Sequence, residues 1–345
     1  ILNSYTRGYT WENILSYNMT IAEDHSVGGT FVTSWSHNQE ESNMAAGSGQ
    51  DLDSWSFWRL TSATSPHVES DFSQTQKLSY AVRFNYSYKG KYLFTFSNRW
   101  DGVSWLANKW DSFPAAALAW RISDEAFMES SNDWLSNLKL RIGYGVTGNS
   151  GIGAYGTLTN AIIYSSSGIS IGGNNVPFAQ YTGTYSNPDL GWEKSHNWNI
   201  GVDFGLLSNR IDGSIEWFTT KTKGLLFKRT LPVTTGNTGW GRPLDIWENL
   251  AETSNMGVEA TINSHNIKTK DFSWDTTLSF TWSKEKINSL PTGDLIKENL
   301  FEGQPIHALY DYKYAGIWGS NVPQETLDAY GVKPGWVKIE TLDKD

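Results

Sequence analysis

The stretch Leu78-Ser79-Tyr80-Ala81-Val82-Arg83-Phe84-Asn85-Tyr86-Ser87 decides the fold. Leu78, Tyr80, Val82, Phe84 and Tyr86 fall on one side of an extended chain. Ser79, Ala81, Arg83, Asn85 and Ser87 fall on the other. A period of two is the signature of a strand whose two faces meet different surroundings. Strands of soluble proteins run about five or six residues, and this one is twice as long. A membrane-crossing strand needs about nine to eleven residues, tilted, to span the hydrocarbon.

Nine further segments share the pattern. They lie near 10–21, 25–38, 91–101, 113–122, 135–147, 193–204, 209–222, 254–263 and 272–284, with the segment above at 76–88. Connections between them alternate in length. Glu23-Asp24, Lys89-Gly90, Gly205–Ser208 and Ser264–Asp271 are short, and Ser123–Asp133 belongs with them by parity. Gln39–Thr75, Gly102–Asp111, Gly148–Gly191, Lys223–Glu252 and Ile287–Leu309 are long. Each crossing reverses direction, so every second connection shares a side. Tight turns on one side and long loops on the other describe an all-β, antiparallel transmembrane β-barrel of the bacterial outer membrane, with periplasmic turns and extracellular loops. Asp311–Trp318 is a candidate eleventh strand.

Composition agrees. Aromatic residues make up 14% of the 345, including 18 Trp, and barrels carry such residues in girdles at both interfaces. Mean hydropathy is −0.44, with no apolar run long enough for a spanning helix; a barrel escapes that test because only alternate residues face lipid. A net charge of −9 argues against nucleic acid, which rewards a basic surface. With no cysteine there is no disulfide framework or thiolate metal site.

Charged residues at mid-strand, Arg83, Arg141, Asp203 and Asp275, sit on the polar side of the alternation. They are expected to face a hydrated lumen, with Leu78, Val82, Phe84, Leu140, Ile142, Val202, Leu278 and Phe280 facing lipid. Trp100, Trp120, Trp198, Trp274 and Trp282 belong to the girdles or the lipid face.

Local motifs then carry a resemblance. Asn85-Tyr-Ser-Tyr-Lys-Gly-Lys-Tyr-Leu-Phe94, Ser97-Asn-Arg-Trp-Asp-Gly102 and Phe113-Pro-Ala-Ala-Ala-Leu-Ala-Trp-Arg-Ile122 are three of them. Leu138-Lys-Leu-Arg-Ile-Gly-Tyr-Gly-Val-Thr-Gly-Asn149 and Asn187-Pro-Asp-Leu-Gly-Trp-Glu-Lys194 follow. Asn197-Trp-Asn-Ile-Gly-Val-Asp-Phe-Gly-Leu-Leu207, Asn255-Met-Gly-Val-Glu259 and Tyr314-Ala-Gly-Ile-Trp318 complete the series. In this order they resemble the SusC/RagA-type TonB-linked outer-membrane transporters of Bacteroidetes. The resemblance implies a 22-stranded barrel, of which residues 1–345 are a partial stretch from the C-terminal half, without the N-terminal plug or the final strands. It implies a SusD-like surface lipoprotein over the long loops, TonB acting through the plug, and a nutrient oligomer, a glycan oligosaccharide or a peptide, as substrate. The competing reading is a surface or soluble all-β glycan-binding module.

Loop aromatics are the candidate ligand-binding residues: Trp55, Trp58, Trp105, Trp110 and Trp240, beside Phe57 and Trp247. An indole face stacks on a sugar ring while its N–H meets a hydroxyl; packing between loops, or a place in the outer girdle, is the commoner role for any one of them. No catalytic set is expected. Asp51 with Asp53, or Asp101 with Asp111, have no spacing that establishes an acid–base pair, and no Gly-x-Ser-x-Gly element occurs. The six histidines are scattered without metal-ligand spacing. Gly143, Gly145 and Gly148 lie in a strand, not before a helix, so they do not read as a phosphate cradle. Asp343-Lys-Asp345 has the Asp-x-Asp opening of a calcium loop. No cofactor is implied.

Overall fold

A computed structural model describes residues 1–50, 53–159, 161–171, 174–181, 184–232, 234, 238–239 and 242–340. Asp343 and Asp345 lie outside the described residues. Six long strands come first: β1 (Leu2–Ile21), β2 (His25–Ser48), β3 (Ser65–Tyr88), β4 (Tyr92–Val103), β5 (Trp110–Arg121) and β6 (Leu135–Asn149). A hairpin of β7 (Ala161–Ile171) and β8 (Asn174–Tyr181) and a short β9 (Thr184–Tyr185) interrupt the series. It resumes with β10 (Glu193–Leu206) and β11 (Ile211–Thr230). The pair β12 (Thr238–Gly239) and β13 (Arg242–Pro243) precedes β14 (Asp245–Lys268) and β15 (Ser273–Ser289).

The ten long strands form one antiparallel sheet in the order β1-β2-β3-β4-β5-β6-β10-β11-β14-β15, with β9 added in parallel to the start of β14. Each long strand pairs with its predecessor in the series, which is the meander expected of up-and-down barrel topology. Among the described residues β1 and β15 are the edges, each with a single ladder. The candidate eleventh strand stands apart from this sheet. Only β16 (Tyr314–Ile317) forms within Asp311–Trp318, and it pairs with β17 (Val337–Ile339) beyond the helix α1 (Gln324–Tyr330).

Register carries the alternation unbroken across the sheet. Tyr86 opposes Phe94, which opposes Leu118, which opposes Ile142, which opposes Ile200, which opposes Trp217, which opposes Val258, which opposes Trp282. One face is therefore apolar over all strands, including the eight residues expected to meet lipid. Arg83, Arg141, Asp203 and Asp275 occupy the other face, as their parity requires.

Rings collect at both ends of the apolar face. At the short-turn end they run from His25 to Tyr88 (4.8 Å between centroids), Tyr92 (6.2 Å), Trp120 (6.3 Å) and Phe127 (6.4 Å). At the other end Tyr9 and Trp35 flank His37, Tyr80 stacks on Trp110, and Tyr144 packs on Trp198. Tyr80 and Tyr88 are eight residues apart on β3. At ~3.3 Å per residue and a 35–45° tilt this is about 20 Å of depth, close to the ~25 Å apolar band of outer-membrane barrels.

The strands outrun their sequence pattern. β2 and β3 stay paired out to Ser48 and Ser65, and β11 and β14 out to Thr230 and Asp245. Above the girdle both faces are wet, so alternation stops while the backbone ladder continues. The loops are correspondingly shorter than expected, spanning 49–64 and 231–244.

Turn chemistry is local. Ala22 and Glu23 (φ 49° and 63°), and Lys89 and Gly90 (φ 53° and 67°), take consecutive left-handed conformations within the three-residue connections 22–24 and 89–91. The Lys89 amide donates to the Asp24 carbonyl at 2.7 Å, tying neighbouring turns together. In the longer turn, Glu125 accepts the Trp120 indole N–H at 3.0 Å and pairs with Lys91 at 3.5 Å. The Tyr92 hydroxyl, then the Trp120 indole, hold this carboxylate below its ordinary range.

Two outcomes are expected. Val202→Arg, at mid-depth on the apolar face, should cost about 2–4 kcal/mol of barrel stability. Ser214→Arg, on the polar face opposite Asp203, should cost little. Urea unfolding in micelles, read by heat-modifiable gel mobility, separates the two. A carboxylate with a lowered folded pKa stabilises above its unfolded pKa, and that contribution is lost as pH falls through the folded value. The Trp120 environment, read by near-UV circular dichroism, should therefore hold from neutral pH down into the usual carboxylate range and change below it. Glu125→Gln should show the altered signal at neutral pH.

Candidate functional site

The polar face holds one connected network at mid-strand. Arg141 donates through Nε to Asp203 Oδ2 at 2.9 Å and through Nη2 to Oδ1 at 2.8 Å. Its Nη2 also reaches Glu216 Oε1 at 2.5 Å, and Asn199 donates to Glu216 Oε2 at 3.1 Å. Lys139 adds a second cation 3.6 Å from Asp203. The fork geometry of guanidinium suits two carboxylates at once. The five residues come from β6, β10 and β11, brought together by the pairs Gly201↔Arg141 and Gly201↔Glu216. Gly201 lies between them, and a Cβ there would come within 3.0 Å of the Arg141 guanidinium. The glycine is what lets the arginine cross β10.

Beside the network runs a shallow groove of about 240 Å³, floored by Ala115, Ala117, Gly143 and Gly145 and walled by Thr95, Ser97, Asn197 and Asn199. The pairs Ala115↔Gly145 and Ala117↔Gly143 leave the floor almost without side chains. Its walls are amides and hydroxyls. Thr220 donates to Asn197 Oδ1 at 2.7 Å, and Asn197 donates to the Thr147 hydroxyl at 3.3 Å.

At the long-loop end, Asn187–Glu193 ties three connections to the rim. Leu190, fully buried, packs with Val103, Leu106, Phe113, Val146, Ile152 and Trp192. The Asn108 amide donates to the Leu190 carbonyl at 3.0 Å, and the Trp192 indole to the Lys109 carbonyl at 3.0 Å. Asn249 of β14 accepts the Gly191 amide at 2.8 Å and donates to the carbonyls of Gly191 and Gly224 at 3.0 and 2.9 Å. Asn187 donates to the Trp247 carbonyl at 2.6 Å. Nothing in the periodicity identified this clamp; its signal was the apolar pair Leu190 and Trp192 inside a polar Asn/Gly-rich loop.

The candidate tryptophans have different surroundings. Trp58 stands 82% exposed in the 3₁₀ segment Asp53–Ser62 between β2 and β3, its ring 4.6 Å from that of Phe57. Trp105 is half-buried against the loop cluster and donates its indole N–H to the Ser150 carbonyl at 2.7 Å. Trp110 lies over Gly102 and stacks on Tyr80 at 6.1 Å, on the apolar face, where a girdle residue sits. The side chain of Trp55 and the whole of Trp240 lie outside the described residues. Trp100, Trp120, Trp198, Trp274 and Trp282 all take the apolar parity.

Removing the arginine should strand two carboxylates. Arg141→Gln is expected to destabilise the barrel by about 1–3 kcal/mol, the upper range for a charge-assisted network being reduced by its partial exposure. A double-mutant cycle with Asp203→Asn should return a coupling of about 1 kcal/mol, measured by urea unfolding in micelles.

Comparison with known proteins agrees with this architecture. Residues 2–335 match the family model described as TonB dependent receptor-like, beta-barrel. TonB-dependent receptor P3 of Formosa agariphila is 33% identical over 351 residues, covering 96% of this chain and 34% of that protein. TonB-dependent receptor SusC of Bacteroides thetaiotaomicron is 38% identical over 230 residues, covering 63% of this chain and 21% of that protein. The solved RagAB peptide importer in its open-open state superposes with a TM-score of 0.79 at 22% identity, over 99% of this chain and 37% of the matched chain. The chain thus spans about a third or less of the length of the relatives it matches. The lipid-exposed apolar face, the two girdles and these matches make it an outer-membrane β-barrel of the TonB-dependent receptor family.

Proposed function

We propose that this barrel belongs to a TonB-dependent importer of nutrient oligomers, in a SusCD-like complex whose SusD-like lipoprotein covers the long loops. The observation that carries the reading is the two-faced wall: lipid-compatible outside, and inside a neutral, hydrogen-bonding groove next to a balanced charge network. A passage for oligomers needs many weak polar contacts and no single tight one. The Asn, Thr and Ser walls over an Ala/Gly floor suit the hydroxyls of an oligosaccharide, and Trp58 offers an exposed ring for stacking at the entrance. TonB would act through a plug domain. The continuous exposed apolar face disfavours the soluble glycan-binding module.

Peptide import is the second reading, favoured by the resemblance in fold to the RagAB peptide importer. Uptake by cells carrying the full-length protein separates the two. Oligosaccharide uptake is expected to need TonB and to fall several-fold in Trp58→Ala and in Asn197→Ala/Asn199→Ala, with the barrel still folded in the membrane. Uptake of oligopeptides but of no oligosaccharide would select the second reading. Unchanged uptake in all these variants would remove Trp58 and the groove from the path.

A further inference from the structure

The lipid face is not uniform at its extracellular end. On β10, β11, β14 and β15 the rows just beyond the aromatic girdle are basic. His196 opposes Lys221, which opposes Ser254, which opposes Lys286. Thr219 opposes Met256, which opposes Lys284, and Lys223 opposes Lys194. Lys221, Lys223, Lys284 and Lys286 are all exposed. Two carboxylates meet this patch among the described residues: Glu252 pairs with Lys221 at 3.2 Å and Asp111 with Lys194 at 2.8 Å, which leaves Lys223, Lys284 and Lys286 outside both pairs. The corresponding height of β1–β3 is different, with Arg7, Gln39 and Gln74 in one row and Tyr5, Glu41 and Phe72 in the next.

Two further features select the occupant. The patch shares the parity of Trp198, Trp217 and Trp282, so it faces away from the polar wall and cannot touch a substrate in the lumen. Directly beneath it the surface is Ile200, Val202, Val258 and Phe280, an apolar wall suited to acyl chains. Girdle tryptophans sit at headgroup level, and lysines there attract anionic headgroups. A ligand with a phosphate at this height and hydrocarbon below satisfies both.

We propose that Lys223, Lys284 and Lys286, with Lys221 and His196 beside them, bind the phosphate-bearing headgroup of an outer-leaflet lipid, whose chains lie over the girdle and the wall below. The site belongs to the barrel's location in the outer membrane and is independent of what the lumen carries. It would give one sector of the barrel a fixed lipid neighbour.

The test uses the full-length protein, delipidated in a non-ionic detergent and followed by native mass spectrometry. Its probes are phosphorylated lipid A, dephosphorylated lipid A and inorganic phosphate. Each lysine near a charged surface contributes roughly fivefold, so the phosphorylated form should bind at least about tenfold more tightly than the dephosphorylated one. Lys223→Gln/Lys284→Gln/Lys286→Gln should abolish that preference, and the matching triple Arg variant should keep it. Millimolar inorganic phosphate should not displace the lipid. Equal binding of the two lipid A forms by the unmutated protein overturns the proposal, as it would if carboxylates from a neighbouring strand neutralised these lysines. Preference retained in the triple Gln variant, or displacement by inorganic phosphate, overturns it as well. Should the Gln variant fail to fold, the comparison of lipid forms on the unmutated protein still decides.

Discussion

The hydrogen-bonded ladder is the constraint on which everything else in this chain depends. Hydrocarbon offers no partner for a backbone N–H or C=O, and each orphan there costs several kcal/mol. Every strand in the membrane must therefore be paired along its embedded length. Continuous registers such as the twenty pairs from Leu2↔Met44 to Ile21↔His25 meet that requirement. Once the ladder is fixed, side chains have only two destinations. The alternation that puts Phe84 against Phe96 on the lipid side must put Arg83 against Ser97 on the other.

That division explains why charge is handled so differently on the two faces. On the polar wall, Arg141 answers both Asp203 and Glu216 across three strands, and the Gly201 gap makes the crossing possible. Similar local balance recurs nearer the rim, where Arg99 donates to Asp101 at 2.7 Å and to the Ser79 hydroxyl at 3.2 Å. On the lipid face, charge is confined to the ends beyond the girdles, where long side chains reach water or headgroups.

Loops at the wide end are held by packing as well as by the ladder. The clamp around Leu190 gives three connections a small core of their own, and Asn249 satisfies backbone groups of Gly191 in the clamp and of Gly224 in β11. Such a core positions the entrance relative to the wall. It also accounts for a tryptophan such as Trp105, whose indole N–H is spent on a loop carbonyl, next to one such as Trp58, whose ring stays open to solvent.

Much of this was legible in the residues alone. Period-two alternation over ten segments dictated the ten long strands and their faces, because only a two-sided environment sustains it; the hairpin of β7 and β8 inside the longest connection carried no such signal. Loop parity dictated which turns share a side, and Gly90 marked a tight turn. Strand ends were not legible: beyond the girdle both faces are solvated, so pattern stops where pairing does not, and β2 and β3 run on past Asn38 and before Gln76. The roles of individual aromatics were not legible either, since Trp58, Trp105 and Trp110 differ only in what surrounds them. Arg141, Asp203 and Glu216 are 62 and 13 residues apart in the chain (141 to 203, 203 to 216) and meet only through the register of three strands. Composition and period follow from the nature of the solvent on each side, which each residue meets locally; partnership across strands follows from register, which is a property of the whole sheet.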